Sequence, residues 1–214
     1  NVSRRYLFTV LLSLCCLTAI ARGQEAKSDV KPEVKPNDAV VPAPKEGGWM
    51  KRHESFNERV KKGNVDLLLI GDSITQGWEG QGKKVWEEFY TKRNAVNLGI
   101  GGDRTQHVLW RITHGELDGI KPKAVVLMIG TNNSGSDPAE GIAKGVTVIV
   151  ETIRAKQPQA KILLLAVFPR GEKASPNPGR EKLAKVNEII AKLHDGQNIH
   201  FLDIGAKFLQ PDGS

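Results

Sequence analysis

Short, continuous apolar runs along this chain alternate with longer stretches in which apolar residues recur every three or four positions. The continuous runs are rich in Leu, Ile and Val, and they lie at residues 65–70, 95–98, 124–129, 161–168 and 199–204. Runs of this length and composition are typical of strands that are buried on both faces of a sheet, as strands of parallel sheets are. We therefore predict five strands that all belong to one parallel sheet.

The stretches between these runs have the spacing of amphipathic helices. Asp137, followed by Pro and then by Glu140, has the form of a helix start with a cap, a proline in the first turn and an early acid. Trp86, Phe89 and Tyr90 are predicted to belong to a helix after the first strand and to face the core. Further apolar faces with helical spacing lie at residues 108–112, 142–153 and 183–193. Strands that alternate with helices predict an α/β fold with a sheet covered on both faces.

Two segments of different composition precede this pattern. Arg4 and Arg5 are followed by an apolar run that is short for a membrane span, so we interpret residues 1–23 as a secretory signal peptide and expect a secreted or periplasmic protein. A lipoprotein and an uncleaved anchor are the alternatives, and no stable membrane insertion is expected after cleavage. Residues 24–48 combine proline with alternating charge and no hydrophobic period, which predicts a disordered tether. The predicted domain is residues 49–214.

Charge and cysteine content narrow the classes of function. The formal net charge is +7, but Lys and Arg are scattered rather than gathered in a stripe, which argues against a nucleic-acid partner. Both cysteines, Cys15 and Cys16, lie in the predicted signal peptide. The domain therefore has no thiol for a disulfide, for thiol catalysis or for a Cys-ligated zinc site.

Chemistry-bearing residues follow the first three predicted strands, whose carboxyl ends meet at one edge of a parallel sheet. Ser73 comes after a tight glycine turn at a predicted helix start, where its hydroxyl is exposed beside free backbone N–H groups. Gly102 can supply a backbone N–H without an obstructing side chain, and Asn132 can supply a side-chain NH₂. Each residue alone also fits a helix cap or a turn. Together they predict a serine nucleophile with donors for a tetrahedral oxyanion.

These motifs resemble those of the SGNH (GDSL-type) hydrolase superfamily. The runs Gly71-Asp72-Ser73, Gly99 to Asp103 and Gly130-Thr131-Asn132 are similar to its first three signature blocks. Within that superfamily, the chain from about residue 66 onward resembles the family of intracellular platelet-activating-factor acetylhydrolase catalytic subunits. The resemblance implies a flavodoxin-like, three-layer αβα fold with Ser73 as nucleophile. It also implies an oxyanion hole made by the Ser73 N–H, Gly102 and Asn132, and hydrolysis of small acyl, often acetyl, esters without a cofactor.

The fourth block of that superfamily, an Asp-x-x-His that supplies the general base, has no match after the fifth predicted strand. His107 is the histidine nearest to the site by topology, but we interpret it as a packing residue, and we interpret Asp203 as structural. The remaining histidines are predicted to lie away from the site: His53, His114, His194 and His200. We therefore expect that the chain lacks the block with the base and a closing helix, and that residues 1–214 alone are nearly inactive.

Three functions other than that of an esterase are compatible with an α/β fold. A dinucleotide-binding protein is disfavoured because Arg104 stands where the third glycine of Gly-x-Gly-x-x-Gly belongs. A flavin carrier with the same fold is another alternative. The main alternative is a non-catalytic, carbohydrate-binding relative that has the same fold and lacks the base. Trp78 and Arg170 flank the predicted mouth, where they either contact substrate or have a structural role. The substrate is expected to be an acetylated carbohydrate or a lipid, and export favours esters outside the cytoplasm, such as acetylated polysaccharide, over the phospholipid that the resemblance implies.

Overall fold

The computed structural model describes residues 38–214, whose strands form one five-stranded parallel sheet in the order β2-β1-β3-β4-β5. The strands are β1 (Leu67–Gly71), β2 (Ala95–Gly99), β3 (Ala124–Met128), β4 (Lys161–Leu165) and β5 (Ile199–Leu202). The chain turns back after β2 and crosses over β1 to reach β3. This order is that of flavodoxin-like folds, and its switch point lies at the carboxyl ends of β1 and β3. The predicted α/β fold is confirmed, with most strands shorter than the apolar runs that predicted them.

Six α-helices connect or precede these strands in the part of the chain that the structure describes. They are α1 (Gly48–Lys61), α2 (Ser73–Gln76), α3 (Lys83–Val85), α4 (Thr105–Thr113), α5 (Ala139–Lys156) and α6 (Pro178–Ile190). The apolar face predicted for α5 is buried from Ile142 to Ile153. Its start differs from the prediction, because Pro138 is the N-cap residue and the Asp137 carboxylate accepts a hydrogen bond from Asn133 instead.

The two faces of the sheet are covered to different extents. Leu68, Ile70 and Leu127 are fully buried on one face, in a core shared with α1, α4, α5 and α6. On the other face, half-buried residues such as Leu163 line an apolar groove of about 520 Å³. After β5, the described chain has a 3-10 turn, Gly205–Phe208, that ends in this groove.

Residues 38–48, which were predicted to be part of a disordered tether, pack against the domain. The 3-10 helix Asp38–Val40 buries Ala39 completely, and the Thr105 hydroxyl donates to the Ala39 carbonyl oxygen over 2.8 Å. Gly145 permits this approach, since a Cβ there would lie 2.7 Å from the same oxygen. Small residues and backbone atoms make this contact, which therefore leaves no hydrophobic period in the sequence. The rest of the predicted tether and the predicted signal peptide lie outside the described residues.

The aromatic residues after α3 also differ from the prediction. Trp86–Tyr90 is a π-helical turn in which Phe89 is 46% exposed and the Trp86 and Tyr90 rings stack with centroids 5.1 Å apart. Tyr90 also contacts Trp78 at a centroid distance of 5.3 Å. The prediction that these side chains face the core was wrong, because Trp86 and Tyr90 pack on each other near the surface and Phe89 is exposed.

Candidate active site

Ser73 is carried to the carboxyl edge of the sheet by β1 and a tight turn. Asp72 caps α2, since its Oδ1 accepts a hydrogen bond of 2.9 Å from the Ile74 N–H. Gly71 is required at the turn because a Cβ at that position would collide with the Thr75 side chain. Ser73 is the first residue of α2 and is exposed, and no acceptor within residues 38–214 is bonded to its hydroxyl. Its backbone N–H, at the helix start, has no intrahelical partner.

The glycine loop between β2 and α4 has one backbone donor without a partner among the described residues, the N–H of Gly102. The other donors of the loop are satisfied: Gly99 N by Asn97 Oδ1, Ile100 N by Gly71 O, Gly101 N by Gln76 Oε1, Asp103 N by Ile100 O, Arg104 N by His107 Nδ1 and Thr105 N by Asn133 Oδ1. A free donor in a loop whose other donors are paired is a ready partner for an oxyanion.

The position of Gly102 explains both its exposure and its residue type. It is the third residue of the turn that the Asp103 N–H closes on the Ile100 carbonyl, and its φ is +73°. A type II turn requires positive φ at this position, which glycine adopts without strain. The preceding Gly101 lies directly beside Ser73, since a Cβ on it would lie 3.8 Å from the Ser73 Cβ.

Asn132 lies between the other two loops, on the 3-10 turn Thr131–Asn133 after β3. Its Nδ2 donates to the Asp103 carbonyl oxygen over 2.8 Å and lies 3.5 Å from Asp72 Oδ2. An amide nitrogen carries two hydrogens, and the second faces Asp72 Oδ2 through the longer and weaker of these two contacts. The structure therefore brings Ser73, Gly102 and Asn132 together at one edge of the sheet, while their catalytic roles stay a prediction.

Two residues hold the turn that carries Asn132. Asn133, to which the sequence analysis gave no role, is fully buried and donates from Nδ2 to Asp137 Oδ2 over 2.7 Å. Arg170 donates from Nη1 to the Thr131 carbonyl oxygen over 2.9 Å and to Ser134 Oγ over 3.0 Å. Of the two roles considered for Arg170, the structure thus favours the structural one, whereas substrate contact by Trp78 stays a prediction.

A buried network of charged groups supports the glycine loop from below. Trp49 Nε1 donates to Asp103 Oδ1 over 2.7 Å, and Arg111 Nε donates to Asp103 Oδ2 over 2.9 Å. Arg111 also pairs with Glu116, which lies 2.9 Å from His53 Nδ1. Burial raises the pKa of the Asp103 carboxyl, although the Arg111 guanidinium opposes that shift. The polarity pattern does not predict this network, because each of its residues is a single polar or aromatic position in a helix or loop of ordinary composition.

Two titratable groups beside the site have strongly shifted pKa values. Burial raises the pKa of Asp72 to about 6, and the Asp103 carboxylate adds to that shift while the Ile74 N–H opposes it. Burial lowers the pKa of His107 to about 4, with help from the positive charges of nearby Lys and Arg residues. His107 is neutral at pH 7, and its Nδ1 accepts from the Arg104 N–H over 2.9 Å.

None of the five histidines of the chain contacts Ser73. Each has other partners: His53 the Glu116 carboxylate, His107 the Arg104 N–H, His114 the Trp110 ring, His194 the Phe201 N–H and His200 the His194 ring. The carboxylate of Asp203 accepts from the Gly205 N–H over 2.7 Å, as part of a turn. The assembled residues carry a hydroxyl and N–H donors at one edge of the sheet, and none of these histidines is bonded to the Ser73 hydroxyl.

Among residues 38–214, no group of three or more His, Cys, Asp or Glu side chains is arranged to hold a metal ion. Nor is any helix in this range both long enough and apolar enough to cross a membrane.

Comparison with known proteins agrees with the geometry of the three loops. Residues 69–214 match the model of the GDSL-like Lipase/Acylhydrolase family, and the match includes all three loops. The chain belongs to this family. The platelet-activating factor acetylhydrolase IB subunit alpha2 of Rattus norvegicus is 45% identical over 167 residues, which cover 78% of this chain and 71% of that relative. The alpha1 subunit of Bos taurus is 41% identical over 187 residues, which cover 87% and 78%.

Solved structures agree with the fold of this GDSL-family chain. A GDSL-like lipase from Bacteroides thetaiotaomicron has a TM-score of 0.58 at 20% identity and covers 77% of this chain and 82% of its own. A variant of an acetylxylan esterase from Geobacillus stearothermophilus has a TM-score of 0.55 at 19% identity, with coverages of 68% and 78%. Family membership and the curated relatives make the chain a carboxylic ester hydrolase.

Proposed function

We propose that the chain is a serine esterase that hydrolyses small acyl esters, acetyl esters in particular, through an acyl-enzyme on Ser73. The observation that carries this proposal is the Gly102 N–H, which has no partner within residues 38–214 and is exposed in the loop packed beside an exposed Ser73. The amide of Asn132 lies close to the same loop, with its Nδ2 bonded to the Asp103 carbonyl. A nucleophile with convergent donors is the arrangement that acyl transfer requires.

In the proposed reaction, Ser73 Oγ attacks the carbonyl carbon of the ester and gives up its proton to a base. The carbonyl oxygen becomes an oxyanion that accepts hydrogen bonds from the Ser73 N–H, the Gly102 N–H and the Asn132 amide. Collapse of this intermediate breaks the bond to the alcohol, which leaves with a proton. Water then attacks the acyl-enzyme by the same route, which releases the acid and restores the serine.

The base is the part of this scheme that the residues at the site do not supply. Because no histidine contacts Ser73, we expect proton transfer to limit the rate of the 214-residue chain. The donors and the nucleophile remain, so the residual rate is expected to be small but above that in water. A small external base should therefore restore part of the activity.

The acyl and alcohol parts of the substrate are proposed on two grounds. The curated relatives are named as acetylhydrolases, which supports an acetyl group. Arg4 and Arg5 before the apolar run 7–20 support export, so we propose a secreted or periplasmic enzyme that meets esters such as acetylated polysaccharide. A panel of acyl chain lengths and acetylated sugars tests this choice.

The central experiment measures hydrolysis of p-nitrophenyl acetate by the 214-residue chain with increasing imidazole. We expect a protein-dependent rate that rises with imidazole, is absent in Ser73→Ala and falls about 100-fold or more in Asn132→Ala. Ser55→Ala, which removes an exposed serine hydroxyl on α1, is the matched control and should keep the full rate. An imidazole-dependent rate that is equal in Ser73→Ala and in the wild type would disprove the proposal.

A further inference from the structure

Lys45 reaches the glycine loop from the segment that precedes α1. Its Nζ donates to the Gly102 carbonyl oxygen over 2.8 Å and lies 3.5 Å from Asp103 Oδ1. The Lys45 side chain is 33% exposed, whereas the Asp103 side chain is fully buried. An ammonium group carries three donors, so Lys45 can serve both oxygens at once.

The bond from Lys45 acts on the backbone that orients the free Gly102 N–H. On one side, the Gly101 N–H donates to Gln76 Oε1 over 2.7 Å, which holds the peptide group before Gly101. On the other side, the peptide group after Gly102 is held at both ends, by Lys45 on its carbonyl oxygen and by Ile100 on the Asp103 N–H. The peptide group between the two glycines, which carries the Gly102 N–H, is thus fixed by its neighbours.

Glycine is the residue least able to keep this orientation without outside restraints, because it has access to positive and negative φ alike. Without Lys45, the carbonyl end of the peptide group after Gly102 loses its bond. The remaining restraint is the Asp103 N–H bond to the Ile100 carbonyl, which is 3.2 Å long. Asp103 itself keeps its bonds to Trp49 and Arg111, so the fold does not depend on Lys45.

We propose that Lys45 is a positioning residue of the oxyanion hole, which holds the Gly102 carbonyl and thereby directs the Gly102 N–H toward the substrate oxygen. This inference rests on the proposed function, since it assigns to Lys45 a role only if the Gly102 N–H binds the oxyanion. A donor that is fixed before the reaction stabilises the developing charge without reorganisation, which affects the transition state more than substrate binding.

The kinetic test compares Lys45→Met, Lys45→Arg and Lys51→Met in the imidazole-supplemented assay with p-nitrophenyl acetate. Lys45→Met should lower kcat about tenfold and leave KM nearly unchanged, since a single hydrogen bond is lost. Lys45→Arg should keep most of the rate because a guanidinium can also donate to both oxygens. Lys51 is an exposed lysine of the nearby α1, so Lys51→Met removes the same charge and should have the wild-type rate.

The outcomes separate this inference from the proposed function. If Ser73→Ala abolishes the rate and Lys45→Met has the wild-type kcat, the inference about Lys45 is wrong and the esterase proposal stands. If Ser73→Ala keeps the rate, the esterase proposal is wrong, and the assigned role of Lys45 is overturned with it. The inference is supported if kcat falls in Lys45→Met without a change in KM and if Lys45→Arg keeps most of the wild-type kcat.

A second measurement reports on the loop without any substrate. In the ¹H–¹⁵N spectrum of the full chain, Lys45→Met should shift the amide signals of Gly102 and Asp103 and speed their hydrogen exchange. Lys51→Met should leave these signals in place. Unchanged Gly102 and Asp103 signals in Lys45→Met would contradict the positioning role even if the catalytic rate fell.

Discussion

Two titratable side chains, Asp72 next to Ser73 and His107 at the glycine loop, should make the stability of the fold depend on pH in opposite directions. The pKa of Asp72 is raised to about 6, so between about pH 4 and pH 6 the folded state binds more protons than the unfolded state. The free energy of unfolding that Asp72 contributes therefore falls as pH rises through this window. The pKa of His107 is lowered to about 4, so the unfolded state binds more protons there, and its contribution rises with pH.

The magnitudes follow from the size of each shift, at 1.36 kcal/mol per pKa unit. Asp72 moves from 3.8 to about 6, and because its side chain is fully buried the shift corresponds to about 3 kcal/mol. His107 moves from 6.5 to about 4, and since its side chain is 12% exposed, we take about 3 kcal/mol as an upper limit. In the wild type, the two contributions change with pH in opposite directions and largely cancel. The unfolding free energy of the wild type should therefore depend only weakly on pH and reveal neither contribution.

Single substitutions remove one contribution at a time and expose the other. Asp72→Asn keeps an oxygen acceptor for the Ile74 N–H, and its unfolding free energy relative to wild type should increase by about 2 kcal/mol from pH 4 to pH 7, somewhat less than the full shift because the unfolded carboxyl is already largely ionised at pH 4. His107→Asn keeps an acceptor for the Arg104 N–H, and its relative unfolding free energy should instead decrease by up to about 3 kcal/mol over the same range.

The assay is urea unfolding followed by tryptophan fluorescence at pH 4, 5, 6 and 7, analysed as a difference from wild type at each pH. Asp118→Asn replaces an aspartate whose side chain is 63% exposed and pairs with Lys156 at the surface, and it serves as the control for loss of a surface carboxylate. If the difference between Asp72→Asn and wild type stays constant from pH 4 to pH 7, burial does not raise the Asp72 pKa and the reasoning fails.

Two further substitutions test how the site is built. Arg111→Met leaves the two buried carboxylates that Arg111 pairs with uncompensated, so the free energy of unfolding should fall by about 3–5 kcal/mol in urea titrations, and a fall below about 1 kcal/mol would count against the network. Gly71→Ala forces a methyl group against Thr75 and should cost about 1–3 kcal/mol. Gly77→Ala has free space around its Cβ and is the matched control, to be compared by thermal unfolding.

The residues brought together at the site could be predicted because a parallel sheet imposes their proximity. Ser73, Gly102 and Asn132 each follow the end of a strand, and strands that run in the same direction end at the same edge. The polarity pattern identifies such strands well when both faces are buried. The polarity pattern overestimated the length of most strands, because the apolar runs continue beyond the strands into the loops. Phe168, for example, lines the groove and does not pair with a neighbouring strand.

Other parts of the site could not be predicted because they depend on contacts that leave no periodic trace. Asn133 and Arg170 hold the Asn132 turn through side-chain bonds to single atoms, which spacing does not reveal. Arg111 is fully buried on α4, where the usual preference of arginine for the surface predicts the opposite. Its burial is understandable only once the carboxylates of Asp103 and Glu116 are seen on either side of it.

Because Lys45 contacts the glycine loop, the functional unit of this chain begins before α1. A boundary at Trp49, drawn where the apolar pattern starts, keeps the indole that donates to Asp103 but separates Lys45 from the Gly102 carbonyl. Both contacts serve the same loop, and they reach it from consecutive parts of one segment. Because the Gly102 N–H has no partner of its own among residues 38–214, its direction depends on such neighbouring contacts. The unit that performs the proposed chemistry therefore includes the residues before α1 that a reading of polarity alone assigns to a tether.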